Sequence, residues 1–256
     1  PEKLRANYSK TLYWSDEAWK RFESIRNDLR VVLTWYKQIG FEGYWREKIR
    51  PAAEKKARKM LDRVSKYDVV PLIEQHLGNP LESDTITVYM LTYSQPHGIK
   101  ITGTRFLTDV AWPYEIVVRN AVHEMMHPPF RRGGYAELAV VLETLRADKY
   151  LMDKVEHHNP SFGYNSLEGF VDEDCVQAMD QLINERIGVA DKAKGRWKQS
   201  DDGMHVLAVA LYQMMKEEKY PNSKDKSLRD FLVRMNKEGK FAPGSIKKYH
   251  RAMYGK

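Results

Sequence analysis

Apolar side chains recur at three- and four-residue intervals from Trp19 through Phe22, Ile25, Leu29 and Val32, with Leu33 beside the last. That period predicts a helix, opened by Ser15-Asp16-Glu17 and ended by Gly40. A second helical region is predicted from Ala52 to Ser65, with Met60, Leu61 and Val64 apolar, and a third from Val70 to Leu77 ahead of Gly78. The aromatic residues of this part (Tyr13, Trp14, Trp19, Trp35, Tyr36, Tyr44 and Trp45) are expected in a core rather than in a carbohydrate site. The pattern then changes. Thr85 to Tyr93 has strand composition, bounded by Asn79-Pro80 and by Gln95-Pro96-His97-Gly98. Ile99 to Leu107 reads as a second strand, joined to the first by a turn.

Helical periodicity returns after Pro113 and runs to Pro128-Pro129, where it should stop, because proline disfavours an α conformation in the preceding residue. Beyond a basic turn (Arg131, Arg132, Gly133, Gly134), a long helix is expected over Tyr135–Glu156, buried through Leu138, Ala139, Leu142, Leu145 and Met152. Another is expected over Ser166–Ile187, stopped by Gly188, with Phe170, Val171, Cys175, Ala178, Met179, Leu182 and Ile183 on its apolar side. Glu173, Asp174 and Asp180 read as its solvated face. Residues 189–203 are expected to be the most mobile segment, followed by helices over 204–219, 227–237 and 245–252. The fold class is therefore α+β and mostly helical. Residues 1–79 form a helical region, 80–132 a small sheet with one helix, and 133–256 a helical C-terminal lobe.

Chemistry concentrates on the helix after Pro113. His123-Glu124-Met125-Met126-His127 is an H-E-x-x-H sequence, and residues four apart share a helical face, so both imidazoles can converge on one metal ion. Glu124 sits beside the first histidine, placed to take a proton from water. A third protein ligand is needed. A histidine six residues after the second one is excluded, since Phe130 and Gly133 stand at the third and sixth positions. Glu168 is the first candidate, with Asp172 one turn later turning toward a ligand histidine; Glu173 is the alternative, and His157 and His158 are more remote ones.

H-E-x-x-H followed by Glu168-x-x-x-Asp172 resembles the gluzincins, the thermolysin-like zinc metallopeptidases. The resemblance covers His123 to Asp172 and rests on motif and spacing. It implies Zn2+ held by His123, His127 and Glu168, Glu124 as general base, and Asp172 orienting a histidine. It further implies a zincin-like catalytic unit over residues 80–256 and a peptide or protein substrate added as a strand to a sheet edge, for which residues 99–107 are the candidate. Two departures stand out: the prolines directly after His127, and the lack of a Gly-x-Met-Glu-Asn segment upstream. For the donor that stabilises the developing oxyanion, His205 and then Tyr212 are nominated, seven residues apart on one helical face.

Composition changes little. The formal charge of +7 is scattered, and its clusters at 55–59 and 192–198 read as solvated faces, so no nucleic-acid partner is expected. Cys175, the only cysteine, excludes an intrachain disulfide and reads as a small buried hydrophobe. No run is long enough for an integral membrane segment. The chain begins at Pro1 rather than Met, so its natural start is expected upstream and a secreted or periplasmic location is the expectation. The rival readings are a catalytically inactive metallopeptidase-like domain that binds zinc or a partner, and a helical nucleic-acid-binding protein.

Overall fold

The computed structural model describes residues 2–9, 15–130 and 136–255. The predicted basic turn at 131–134, Tyr135, Tyr13 and Trp14 lie outside them. Contacts divide the chain into two compact units, 1–56 and 57–256. The unit that carries the sheet and the H-E-x-x-H helix thus starts upstream of residue 80.

In the first unit, α1 (Glu2–Tyr8) precedes a long α2 (Asp16–Gln38), whose N-terminus is capped by Ser15 Oγ accepting the Ala18 N–H at 3.0 Å. A short α3 (Phe41–Tyr44), entered through Gly40 at φ +70°, runs through a π-helical turn, Trp45–Ile49, into α4 (Arg50–Val64). Trp19 is buried against Phe22, but Trp35, Tyr36, Tyr44 and Trp45 are exposed, as are Ile25, Leu29, Val32 and Leu33. The core placement expected for these aromatics therefore holds for Trp19 alone among the described ones. One long helix and one turn of another cannot enclose an apolar stripe.

The second unit is mostly helical with one three-stranded sheet. α5 (Val70–Leu77) leads to β1 (Thr87–Leu91), β2 (Ile99–Thr102) and β3 (Arg105–Asp109). The order is β1-β3-β2, with β1 parallel and β2 antiparallel to β3. Residues 99–107 are thus a hairpin rather than one strand. Gly103 makes the turn at φ +53°, a conformation that costs glycine little. Folding back puts β3 in the middle, with Phe106 fully buried, and leaves β2 at an edge.

α6 (Tyr114–Met125) follows β3 and packs on β2 and β3. It ends where the prolines require, and the cis His127–Pro128 bond follows. The predicted long helix is two: α7 (Ala136–Arg146) and α8 (Lys149–His157). Asp148 separates them, its Oδ1 accepting the N–H groups of Tyr150 and Leu151 and its Oδ2 that of Gly244. α9 (Leu167–Arg186) is capped by Ser166 and is the central element, packed against α6, α7, α8 and α11. Residues expected to be mobile instead form α10 (Ala193–Gln199) and a 3-10 turn, Ser200–Gly203. Trp197, almost fully buried, pins them. α11 (Val206–Glu217), α12 (Leu228–Lys237) and α13 (Ser245–Tyr254) complete the unit. No described helix is long and apolar enough to cross a membrane.

Candidate metal centre

The last turn of α6 tightens as Met126 N–H bonds to His123 C=O and His127 N–H to Glu124 C=O. His127 lies just past the helix end, yet its ring still meets His123: the two Nε2 atoms are 3.2 Å apart. The carboxylate facing them is Glu173, with Oε1 3.6 Å from His123 Nε2 and Oε2 3.3 Å from His127 Nε2. Three donors bonded to one ion at about 2.1 Å in a tetrahedron stand about 3.4 Å apart. With a different Glu173 oxygen facing each histidine, the observed separations lie close to that edge, and His123, His127 and Glu173 form a group that could hold a metal ion. Glu173 is 4% exposed, and its buried Oε2 has no hydrogen-bond partner. A buried carboxylate left against two imidazole nitrogens, one at each oxygen, is costly unless a cation or proton bridges them.

The surroundings fix both sides of this group. Asp180 accepts from His123 Nδ1 at 2.8 Å, which sets the tautomer and turns Nε2 toward Glu173. Arg196 holds Asp180 through two hydrogen bonds. Burial raises the Asp180 pKa, but the Arg196 charge outweighs it and holds the carboxyl below its ordinary value. Trp197 donates to Gln177 Oε1 at 2.9 Å, and Gln177 Nε2 donates to Glu173 Oε1 at 2.9 Å. Burial lowers the His123 pKa, but the charges of Glu173 and Asp180 prevail and lift it to about 9. The same histidines draw Glu173 well below the usual carboxylate range despite its burial. A divalent cation bound by these groups would take the place of the proton that His123 otherwise holds.

Structure and sequence differ on the third acid. Glu168 lies in the first turn of α9, 3.1 Å from Arg146 and partly exposed, while Leu167, Phe170 and Val171 face the core. Glu173, five residues on, is the one that reaches the histidines. Asp172 is half-buried on α9, and the carboxylate at His123 Nδ1 is Asp180, two turns further along. Glu173, Asp174 and Asp180, expected on a solvated face, are all buried, because α9 is covered by α6 on one side and α11 on the other. His157 is exposed beside Asp153, and His158 is bonded to backbone carbonyls of Lys154 and Gly163. Cys175 is fully buried and its thiol pKa is pushed up by burial. Both facts agree with its reading as a small core residue.

A cavity of about 490 Å³ opens beside the cluster, between α6 and α9. Glu124 lines it, and its Oε2 accepts the Lys100 N–H of β2 at 2.7 Å. Gly98, just before β2, lies so close that a Cβ there would come within 2.9 Å of Glu124 Oε1 and 3.2 Å of Asn120 Cβ. The His97 carbonyl accepts from Asn120 Nδ2 and from Thr108 Oγ1, which fixes this approach. Tyr164 also lines the cavity, and the Glu173 charge acts on its hydroxyl. Its φ of +58° is rare for an aromatic residue, a local strain that costs about 1 kcal/mol or more. Burial and Glu173 push its pKa up, keeping the hydroxyl protonated.

His205 and Tyr212 do not line this cavity. His205 is buried behind its wall, Nδ1 2.6 Å from Asp174 and Nε2 2.8 Å from Asp201. Tyr212 donates to Glu185 at 2.7 Å and touches Trp197. Burial lowers the His205 pKa, but Asp174 more than compensates and raises it to about 10. Its stabilising contribution is therefore fully present below the unfolded value near 6.5 and is lost as pH rises through about 10. His205→Ala, which strands Asp174 in the interior, is expected to lower unfolding stability by about 3–5 kcal/mol in urea denaturation at pH 6.5. A loss below 1 kcal/mol would show that the pair is not structural. Asp180→Asn, which replaces the carboxylate at His123, is expected to weaken metal affinity about 10–100-fold, read by competition with a chelating dye. Unchanged affinity would remove Asp180 from this role.

Comparison with protein-family models, curated protein sequences and solved structures returns no match for this chain.

Proposed function

We propose that this protein is a zinc-dependent peptidase, zincin-like in its catalytic unit and similar to the gluzincins in its two-histidine, one-glutamate ligand set. The observation that carries the reading is the convergence of His123, His127 and Glu173 at tetrahedral spacing, with Glu124 beside them. Two imidazoles and a carboxylate suit zinc, which when bound lowers the pKa of a water ligand and polarises a carbonyl. His123 and His127 act as neutral donors, the first held in that tautomer by Asp180. Glu124 is the proton carrier, taking a proton from water and delivering it to the leaving amine. Tyr164, kept protonated, supplies the hydrogen bond to the developing oxyanion, the role nominated from sequence for His205 and Tyr212.

The sheet edge gives a place for the substrate. β2 pairs with β3 on one side, and the Lys100 N–H points the other way, toward Glu124. An extended peptide laid beside β2 would run past Glu124 with its main chain hydrogen-bonded, a mode that tolerates many side chains. An intact Glu124 facing the cavity favours catalysis over a zinc- or partner-binding domain without activity.

Chelator treatment tests the proposal. Cleavage of a mixed peptide library is expected with the zinc-loaded protein, to be lost after dialysis against a chelator, and to return with one equivalent of zinc. Cleavage that survives chelation, or a zinc-loaded protein that cleaves no peptide in the library, would contradict it.

A further inference from the structure

α2 stands almost bare. Only Trp19 is buried in it, with the Arg5 guanidinium over its ring, and every residue from Glu23 to Gln38 is exposed. Of the 17 large apolar side chains left exposed among the described residues, 11 belong to the first unit. Most helical stability comes from packing an apolar face, and this 23-residue helix packs almost none of its own.

The order of the apolar positions says what fits. Phe22, Ile25, Leu29, Val32, Tyr36 and Ile39 follow in steps of three and four, the heptad spacing of a coiled-coil seam. Leu33 and Trp35 flank that seam, one on each side. The last five seam residues, with Leu33 and Trp35, are 40–67% exposed. They offer on the order of 100 Å² each and 700 Å² together, against about 800 Å² per partner in a standard interface. α2 carries five cationic and four acidic side chains, so its near-neutral charge gives it little attraction to an anionic lipid surface.

We infer that α2 is a self-association surface whose occupant is the α2 helix of a second copy of this chain, in antiparallel order. Leu29 then faces Val32 of the other copy, Ile25 faces Tyr36 and Phe22 faces Ile39, in six apolar layers. Beside them Leu33 meets the aliphatic stem of Arg26, and Trp35 lies next to Asp28, so no like charges oppose each other. A parallel pair would instead set Arg21 of each copy against Arg26 of the other, two repulsive contacts at the edge of the seam. Trp19, already covered within its own chain, lies outside the overlap.

Sedimentation equilibrium of the full chain tests this, with a dimer as the expected state. Leu29→Asp combined with Val32→Asp should raise the dissociation constant at least about 100-fold, because each central layer then sets two carboxylates together. Both side chains are exposed in the single chain, so the substitutions spare its fold. Val31→Asp, exposed on α2 away from the seam, should leave the dimer intact. The only cysteine, Cys175, is fully buried, so introduced thiols report the orientation. Under mild oxidation, a mixture of Leu29→Cys and Val32→Cys chains should cross-link faster than either chain alone. Fastest linking of Leu29→Cys with itself would give the parallel order and overturn the arrangement. A chain that stays monomeric at its highest soluble concentration, whether or not it floats with phosphatidylserine vesicles, overturns the inference. So does a dimer that tolerates the paired Asp substitutions or is lost in V31D.

Discussion

Glu173→Ala is expected to abolish stoichiometric zinc binding, whereas Glu168→Ala leaves it intact. Removing Glu173 takes away one of three converging donors and the negative charge that offsets the ion. Outer-sphere changes already cost about 10–100-fold in affinity, so loss of a direct ligand is expected to cost at least about 100-fold. Glu168 pairs with Arg146 near the surface, and its loss removes a partly exposed ion pair worth no more than about 1 kcal/mol. Elemental analysis of the two purified variants beside the wild type reads both effects. Zinc retained in the Glu173 variant and lost in the Glu168 variant would reverse the assignment.

Glu124→Gln is expected to leave zinc content unchanged and to reduce peptide hydrolysis by about 100- to 10,000-fold, the usual contribution of a positioned general base. Glutamine keeps the shape and can still accept the Lys100 N–H, so the β2 edge should stay where it is. The separation between intact metal binding and lost turnover is the informative part. Turnover within a few-fold of wild type would remove Glu124 from proton transfer, and loss of zinc would make it a ligand instead.

Much of this site was legible because it obeys helical arithmetic. The four-residue spacing of His123 and His127 on a periodic segment placed both rings together, and the prolines marked where α6 ends. The third acid was harder. Glu168-x-x-x-Asp172 resembles the gluzincin spacing, but which face of α9 meets α6 depends on packing that a local pattern does not contain. A signal was present: Glu173, Gln177, Asp180, Gln181 and Asn184 recur at helical intervals along α9, and all are buried. A polar stripe within an apolar helix marks an internal polar surface rather than a solvated one. His205 and Tyr212 share a face as expected, but that face serves the α9–α11 and Trp197 contacts. Tyr164 carried no comparable sign, since its place depends on a loop at positive φ. In the fold, the small sheet and most helices follow the pattern of apolar positions. The hairpin at Gly103 and the break at Asp148 follow from single turn-forming and capping residues inside segments that look continuous.

The most direct measurement is anomalous diffraction at the zinc edge from crystals of the zinc-loaded protein. One peak within about 2.2 Å of His123 Nε2, His127 Nε2 and the Glu173 carboxylate is the predicted result. A peak at Glu168 and Arg146, or no peak among these residues at full zinc loading, would contradict it.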